Sequence, residues 1–270
     1  MNIVKSISSP EKVFETSGSQ PILILGDDLN YYVCKYNRWG GTEAKKLFNE
    51  FIAGCFAQEW NLAIPRFCFE RVDPSHVENI PLIQPSFFNS LCFGSLFNKK
   101  FSEIDEFYSE ITSADKRKYV KKFDFLKIAL FDIWLANEDR NFNNYNLLID
   151  IDNGNRFVPI DHDAIFNTGN LDKGLVLLSE NETLINTNLA KKLFNRNELL
   201  NKEFLENFRN EYYICVDKCE KNVDNFLKLI PEDWKININE KQNLIKRQLF
   251  KKEWTDDCIY YFLKLIQLEF

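Results

Sequence analysis

Histidine is scarce in this 270-residue chain, with two in all, and no two of its seven cysteines stand in Cys-x-x-Cys spacing. Those shortages exclude a zinc finger or ribbon and a dithiol redox motif, and an odd cysteine count suits free thiols in a reducing compartment. Cys215 and Cys219 lie one helical turn apart with no histidine nearby, so they read as core packing. No apolar run approaches the roughly eighteen residues of a membrane span, and residues 1–5 lead into Ser and Pro rather than the apolar core of a signal peptide. A soluble, cytoplasmic protein with no membrane partner is expected. Positive charge is short as well: 34 Lys and Arg face 40 Asp and Glu, a net of −6. A nucleic-acid surface needs a basic face to neutralise phosphates, so no nucleic-acid partner is expected. The cluster Lys116-Arg117-Lys118 with Lys121-Lys122 reads as a solvated helix face.

Apolar side chains, in contrast, are plentiful: 45% of the chain is hydrophobic and 25 residues are Phe. That is enough for one two-lobed domain or two small domains, with a core of ordinary size, and nothing suggests disorder. Phe at helical or strand spacing belongs in a core before it belongs in a base-stacking platform. Phe123, Leu126, Leu130 and Ile133 recur every three or four residues, which predicts a buried helix. Helical spacing also covers residues 189–194, 204–219, 223–229 and 240–268, interrupted by the Ile230-Pro231 turn. Between residues 164 and 188 periodicity fades.

The chemistry concentrates in Asn137-Glu138-Asp139-Arg140-Asn141-Phe142-Asn143-Asn144 and in Pro159-Ile160-Asp161-His162-Asp163. A phosphoryl-transfer site needs a carboxylate to meet the attacking hydroxyl, an amide oxygen about a turn later for magnesium, and a second carboxylate to bridge metal and phosphates. Asp139 fits the first role as catalytic base, and Asn144 and Asp161 fit the other two as metal ligands. Residues 145–150 and 156–160 are apolar-rich runs separated by Asp152-Asn153-Gly154-Asn155, a hairpin signal that places the acids at the two mouths of one hairpin. Asn-rich loops also arise as ordinary turns, but the ordered combination reads as a kinase.

The amino-terminal half supplies what such a site requires. Residues 31–35 read as a strand ending on Lys35, which would reach the α- and β-phosphates of a nucleotide. Ser17-Gly18-Ser19, ahead of a strand at residues 21–25, could lie over the phosphates with backbone N–H groups. After Gly40-Gly41, Thr42 is a good N-cap for a helix over residues 43–59. On that helix Glu50 stands beside the small residues Ala53, Gly54 and Ala57, which would let it approach the sheet and pair with Lys35. Glu43, on the same face, is its rival.

Lys35, Asn49-Glu50, Ile64-Pro65, Phe93-Gly94-Ser95, Asn137-Glu138-Asp139-Arg140, Asn144 with Asn146-Leu147-Leu148, and Ile160-Asp161-His162 occur in an order that resembles the HipA-like kinase family. The resemblance is nearest to short standalone members without the amino-terminal extension of the toxin kinases, and it spans about residues 17–247. It implies an α+β, two-lobed protein-kinase-like fold, with a small β-rich N-lobe at residues 1–97 and a larger helical C-lobe at residues 98–270. It also implies Lys35 as the phosphate lysine, Asp139 as the base, Asn144 and Asp161 as magnesium ligands, ATP in a slot between the lobes, and a protein serine or threonine as acceptor. The toxin relatives imply a cognate inhibitor encoded by a neighbouring gene. A small-molecule or lipid kinase would share every one of these motifs, and a catalytically silent nucleotide-binding module would share the fold. Two departures stand out: Asn141 occupies a position where members often have histidine, and Asp161-His162-Asp163 lacks the Phe and Gly that conventional protein kinases place after this aspartate.

Overall fold

A computed structural model describes residues 1–16, 19–38, 42–104, 119 and 121–270 of the chain. Its first part is a six-stranded sheet built from β1 (Ile3–Lys5), β2 (Lys12–Val13), β3 (Ile22–Leu25), β4 (Tyr31–Lys35), β5 (Phe67–Arg71) and β6 (Cys92–Leu96), in the order β1-β5-β6-β4-β3-β2. β3 and β4 form a hairpin in which Leu23 faces Val33. Its turn is held by Asn30 N donating to Asp28 Oδ1 at 3.1 Å and by Gly26 N donating to Asn30 O at 2.9 Å. Alternate residues of β4 point to opposite faces, so Cys34 enters one core and Lys35 the other side.

The inner face of this sheet packs on α1 (Lys45–Glu59). Eleven consecutive residues of that helix, Leu47 to Ala57, are buried, so α1 lies inside the molecule rather than on it. Close approach is possible because position 54 has no side chain: a Cβ there would stand 2.9 Å from the Phe67 ring. The start of α1 differs from the sequence expectation. The helix begins at Lys45, and Thr42 does not cap it; instead Ala44 N donates to Trp234 O at 3.0 Å, a tertiary bond supplied from the far end of the chain.

Beyond β6 the chain leaves the first sheet. β7 (Phe101–Glu103) pairs with β8 (Leu147–Asp150), which forms the expected hairpin with β9 (Arg156–Pro159). Between them α2 (Phe123–Leu135) is buried over almost its whole length, as the Phe123, Leu126, Leu130, Ile133 spacing predicts. The helical part continues through α3 (Asn188–Leu193), α4 (Arg196–Leu199), α5 (Lys202–Leu227), α6 (Ile238–Gln248) and α7 (Lys252–Glu269). The runs at 204–219 and 223–229 are one helix, α5, whose Phe208, Tyr212, Cys215, Cys219, Val223 and Leu227 form its buried stripe. The run at 240–268 is two helices, split at residues 249–251 where Leu249 O accepts a bond from Trp134 Nε1 at 3.3 Å.

One hydrophobic core runs from the inner sheet face through α1 and α2 into α5 and α7. Trp134 is its centre: its ring stacks on Trp60 at 5.5 Å, and Trp254 Nε1 donates to its carbonyl at 3.0 Å. Lys122 of the expected solvated basic face is paired with Glu198 at 2.6 Å instead, while Lys116, Arg117 and Lys118 lie outside the described residues. No helix among the described residues is long and apolar enough to cross a membrane.

The outer sheet face has a separate, smaller core around Ile22, Ile24, Tyr32, Cys34, Cys68 and Cys92. Glu70 is fully buried beside it, with no hydrogen-bond donor to either carboxyl oxygen among the described residues. Its carboxyl lies over Gly94, where any Cβ would collide with it. Burial pushes Glu70 up to about 8, a contact with Cys34 offsetting part of the shift. An acid whose folded value lies above its unfolded value of 4.5 contributes stability that is complete below about pH 4.5 and is lost as the pH rises through about 8. Urea unfolding of wild type and Glu70→Gln at pH 5 and pH 8 should therefore diverge. Wild type should lose stability relative to the variant by on the order of 2–4 kcal/mol across that interval; parallel pH profiles would show that Glu70 does not titrate as its burial requires.

Candidate active site

Three charged side chains from three elements meet at one point. Lys35, the last residue of β4, has its Nζ in contact with Glu50 of α1 and 2.6 Å from Asp161 Oδ1, just after β9. Of the two candidate glutamates, Glu50 is buried and holds the lysine; Glu43 lies two residues before the start of α1, part-exposed, with Lys45 Nζ at 3.8 Å. Glu50 Oε1 also accepts from His162 N at 3.0 Å, so one carboxylate fixes both the lysine and the backbone that presents Asp161. Asp161 itself has φ +57°, a left-handed conformation that is costly for a residue with a side chain and concentrates at functional sites.

Two carboxylates sharing one ammonium set the electrostatics. Burial alone would lower Lys35, but Asp161, Glu50 and Asp163 overcome it and hold the amine well above its ordinary value. Burial pushes Glu50 up against the pull of Lys35, whereas in the more exposed Asp161 the pull of Lys35 wins and the carboxyl is held below its usual range. Asp161 is thus an ionised oxygen donor beside a permanent cation. The next residues are anchored to α1: Asn49 Nδ2 donates to Asp163 O at 2.8 Å, and Lys46 Nζ lies 2.7 Å from Asp163 Oδ2.

Asp139 follows α2 in a loop that closes on itself. α2 ends with Ala136 in the left-handed region, φ +50°. Asn141 N donates to Asn144 O at 2.9 Å, Asn141 Oδ1 accepts from Asn143 N at 2.9 Å, and Asn141 Nδ2 donates to Glu138 O at 3.2 Å. Asn141 therefore ties both ends of the loop. Asn144 Nδ2 and Asn146 Nδ2 each donate to Asp139 Oδ2 at 3.0 Å. Among the described residues no donor meets Asp139 Oδ1.

Beneath the loop lies a residue whose neighbours the sequence did not disclose. Arg140 is fully buried, pairs with Asp132 of α2, donates to Ile160 O at 2.6 Å and faces His162 Nε2 at 3.2 Å. Arginine can only donate, so that nitrogen of His162 is the acceptor and the ring proton sits on Nδ1. Burial, reinforced by the Arg140 charge, holds His162 well below its ordinary value and hence neutral. Burial pushes Asp132 up to about 6 against Arg140 and Asn137, whose Nδ2 donates to Asp132 Oδ1 at 2.9 Å. Arg140 thereby joins the Asp139 loop to the strand that carries Asp161.

The segment after Asp161 is tied to the same loop. Phe166, Asn167 and Thr168 all have left-handed φ values, between +48° and +60°. Asn167 N donates to Ala136 O at 3.0 Å, and Glu138 accepts from Asn167 Nδ2 at 3.1 Å and from the Thr168 hydroxyl.

A cleft of about 380 Å³ opens between the first sheet and the β8–β9 hairpin. Val33, Ile64, Pro65, Phe93, Leu148 and Ile160 give it apolar walls, and Lys35, Glu50, Asn144, Asn146 and Asp161 line it as polar groups. That combination, apolar walls with a few convergent polar groups, is what a small-molecule site requires. Asp139 reaches it through its two amide partners. Of the residues expected to lie over phosphates, Ser17 and Gly18 are outside the described residues, and Ser19 is not a lining residue, although Thr16 is. Asp161 and Asn144 supply the oxygen donors that suit a hard cation.

Two comparisons with known proteins bear on the family and the fold of the chain. A family model described as HipA-like kinase matches residues 10–255. The crystal structure of a Helicobacter pylori proinflammatory kinase, CtkA, aligns with a TM-score of 0.54 over 96% of this chain and 97% of that chain, at 13% sequence identity, a likeness of fold. No curated protein matches the chain.

Removing one member of a buried pair leaves an uncompensated charge, at a cost of about 3–5 kcal/mol. Arg140→Met should lose on that order in urea unfolding, and Arg140→Met combined with Asp132→Leu should recover part of it. A single variant as stable as wild type would show that the pair carries no such role.

Proposed function

The chain belongs to the HipA-like kinase family, and from that premise we propose that it transfers the γ-phosphate of ATP to the hydroxyl of a protein serine or threonine, with Mg²⁺. The observation that carries the proposal is Lys35 Nζ held between Glu50 and Asp161 at the wall of a cleft that also reaches Asn144. In this reading the adenine enters between the apolar walls, and Lys35 meets the α- and β-phosphates as an always-protonated point charge. Glu50 keeps that charge in place. Asp161 and Asn144 hold the cation, whose chemistry when bound is to neutralise charge on the phosphate oxygens.

Asp139 Oδ1 accepts the proton of the incoming hydroxyl as its oxygen bonds to the γ-phosphorus and the bridging P–O bond to ADP breaks. Two amides on Oδ2 keep the carboxylate turned so that Oδ1 faces the acceptor. Serine or threonine as acceptor follows from the family; none of the cleft residues named above reads the acceptor. A cognate inhibitor is proposed on the same footing.

Labelled ATP with magnesium, incubated with a cell extract or with a panel of small hydroxyl compounds, tests the proposal. Label on protein serine or threonine is expected, dependent on the cation; label on a small molecule alone would assign the acceptor to another class, and no transfer would favour a silent nucleotide-binding module. Asp139→Asn should lower transfer by about a hundredfold or more. Nucleotide at about a hundred times its dissociation constant stabilises a fold by about 2.7 kcal/mol, or on the order of 5–10 °C in Tm for a chain of this size. That shift should survive in Asp139→Asn, while the magnesium-dependent part should vanish in Asp161→Asn; the reverse pattern would exchange the roles of the two acids.

A further inference from the structure

Resting on the phosphotransferase reading, we propose that Asn146 is a positioning residue that holds Asp139 independently of the cation. Asn146 stands at φ +44°, immediately before β8. Its carbonyl accepts from Ile160 N at 3.0 Å and from Arg140 Nε at 3.4 Å, which fastens its backbone to the strand leading to Asp161 and to the buried arginine. A left-handed backbone with an acceptor carbonyl asks only for a residue that tolerates positive φ, and glycine would serve at least as well. The side chain does something further: its Nδ2 donates to Asp139 Oδ2 at 3.0 Å, the same distance as the amide of Asn144.

The two asparagines differ in how they are held. Asn144 is exposed at the loop's end, and its amide oxygen is the one assigned to the cation, so any cation that draws on Asn144 also draws on its bond to Asp139. Asn146 is half-buried and clamped through its carbonyl to Ile160 N and Arg140 Nε, and its own amide oxygen is not among the groups assigned to the cation. One fixed amide and one amide coupled to the cation then share a single carboxylate oxygen. Asp139 keeps its orientation whether or not the cation is present, and Oδ1 stays open to the acceptor.

The side chain and the backbone role separate cleanly by substitution. Asn146→Gly preserves the left-handed position and both carbonyl bonds and removes only the amide. A hydrogen bond to an ionised group is worth about 1.5–3 kcal/mol, so kcat should fall on the order of ten- to a hundredfold. The KM for ATP and the magnesium concentration for half-maximal rate should stay within about twofold, and Tm should be near that of wild type. Asn144→Ala, by contrast, should raise the magnesium requirement. Asn146→Asp, similar in shape but an acceptor facing a carboxylate, should lose more than Asn146→Gly. In an Asp139→Asn background Asn146→Gly should cost nothing further, because residues acting as a unit are not additive.

The assay is release of inorganic phosphate from labelled ATP with magnesium, water serving as acceptor, alongside label on protein. Phosphate transfer by wild type with an unchanged kcat in Asn146→Gly overturns the proposal. So does a raised magnesium requirement in Asn146→Gly, which would make Asn146 a cation ligand, and so does an undiminished loss in the Asp139→Asn background, which would make its role one of fold. No transfer by wild type to any acceptor overturns the phosphotransferase reading, and this proposal falls with it.

Discussion

The ion pair of Lys35 with Glu50 inside the molecule is the constraint on which the rest of the site depends. Burying two charges costs several kcal/mol each before their attraction is counted, so the pair persists only if the surrounding structure holds it. It does so from three sides. β4 delivers the lysine, α1 delivers the glutamate, and the end of β9 delivers both Asp161 and the His162 N–H that bonds the same glutamate oxygen. Because α1 is buried over eleven successive residues in a core continuous with α2, α5 and α7, moving Glu50 away would expose apolar surface on every side. Helix α1 is built as a fixed member of the core and not as a swinging one.

The same economy of motion marks the segment beyond Asp161. Where conventional protein kinases have Phe and Gly, this chain has a neutral, buried His162 against Arg140 and an Asp163 bonded to Asn49 and Lys46 of α1. A few residues on, the left-handed turn at Phe166 to Thr168 is tied to Ala136 and Glu138. Bonds at both ends leave this stretch little room for an in-and-out exchange. The Asp139 loop, the Asp161 turn and α1 form one hydrogen-bonded unit with Arg140 beneath it.

How much of this was legible in the sequence follows from where each signal resides. Asp139, Asn144 and Asp161 could be singled out from the sequence because the chemistry expected of them is specific and their spacing is local, bracketed by a hairpin whose turn residues are explicit. Glu50 was visible through its row of small neighbours, Gly54 in particular, since the Phe67 ring leaves no room for a side chain there. Arg140 and Asp132 were not legible as a pair: Asp132 interrupts a run of apolar residues on α2, and only the return of the loop beneath that helix brings the two together. Thr42 misled because local capping propensity lost to a bond from Trp234, nearly two hundred positions away. Glu70 was silent for the opposite reason, as an ordinary strand glutamate in sequence becomes unusual only once Gly94 is folded beneath it.

The most direct measurement compares Glu50→Gln with Glu43→Gln in phosphate transfer from magnesium ATP. If the Lys35–Glu50 pair organises the site, Glu50→Gln should lower the rate by on the order of tenfold or more, the worth of a charge-assisted bond, while Glu43→Gln remains within about twofold of wild type. Equal losses, or a loss confined to Glu43→Gln, would contradict the central place given to Glu50.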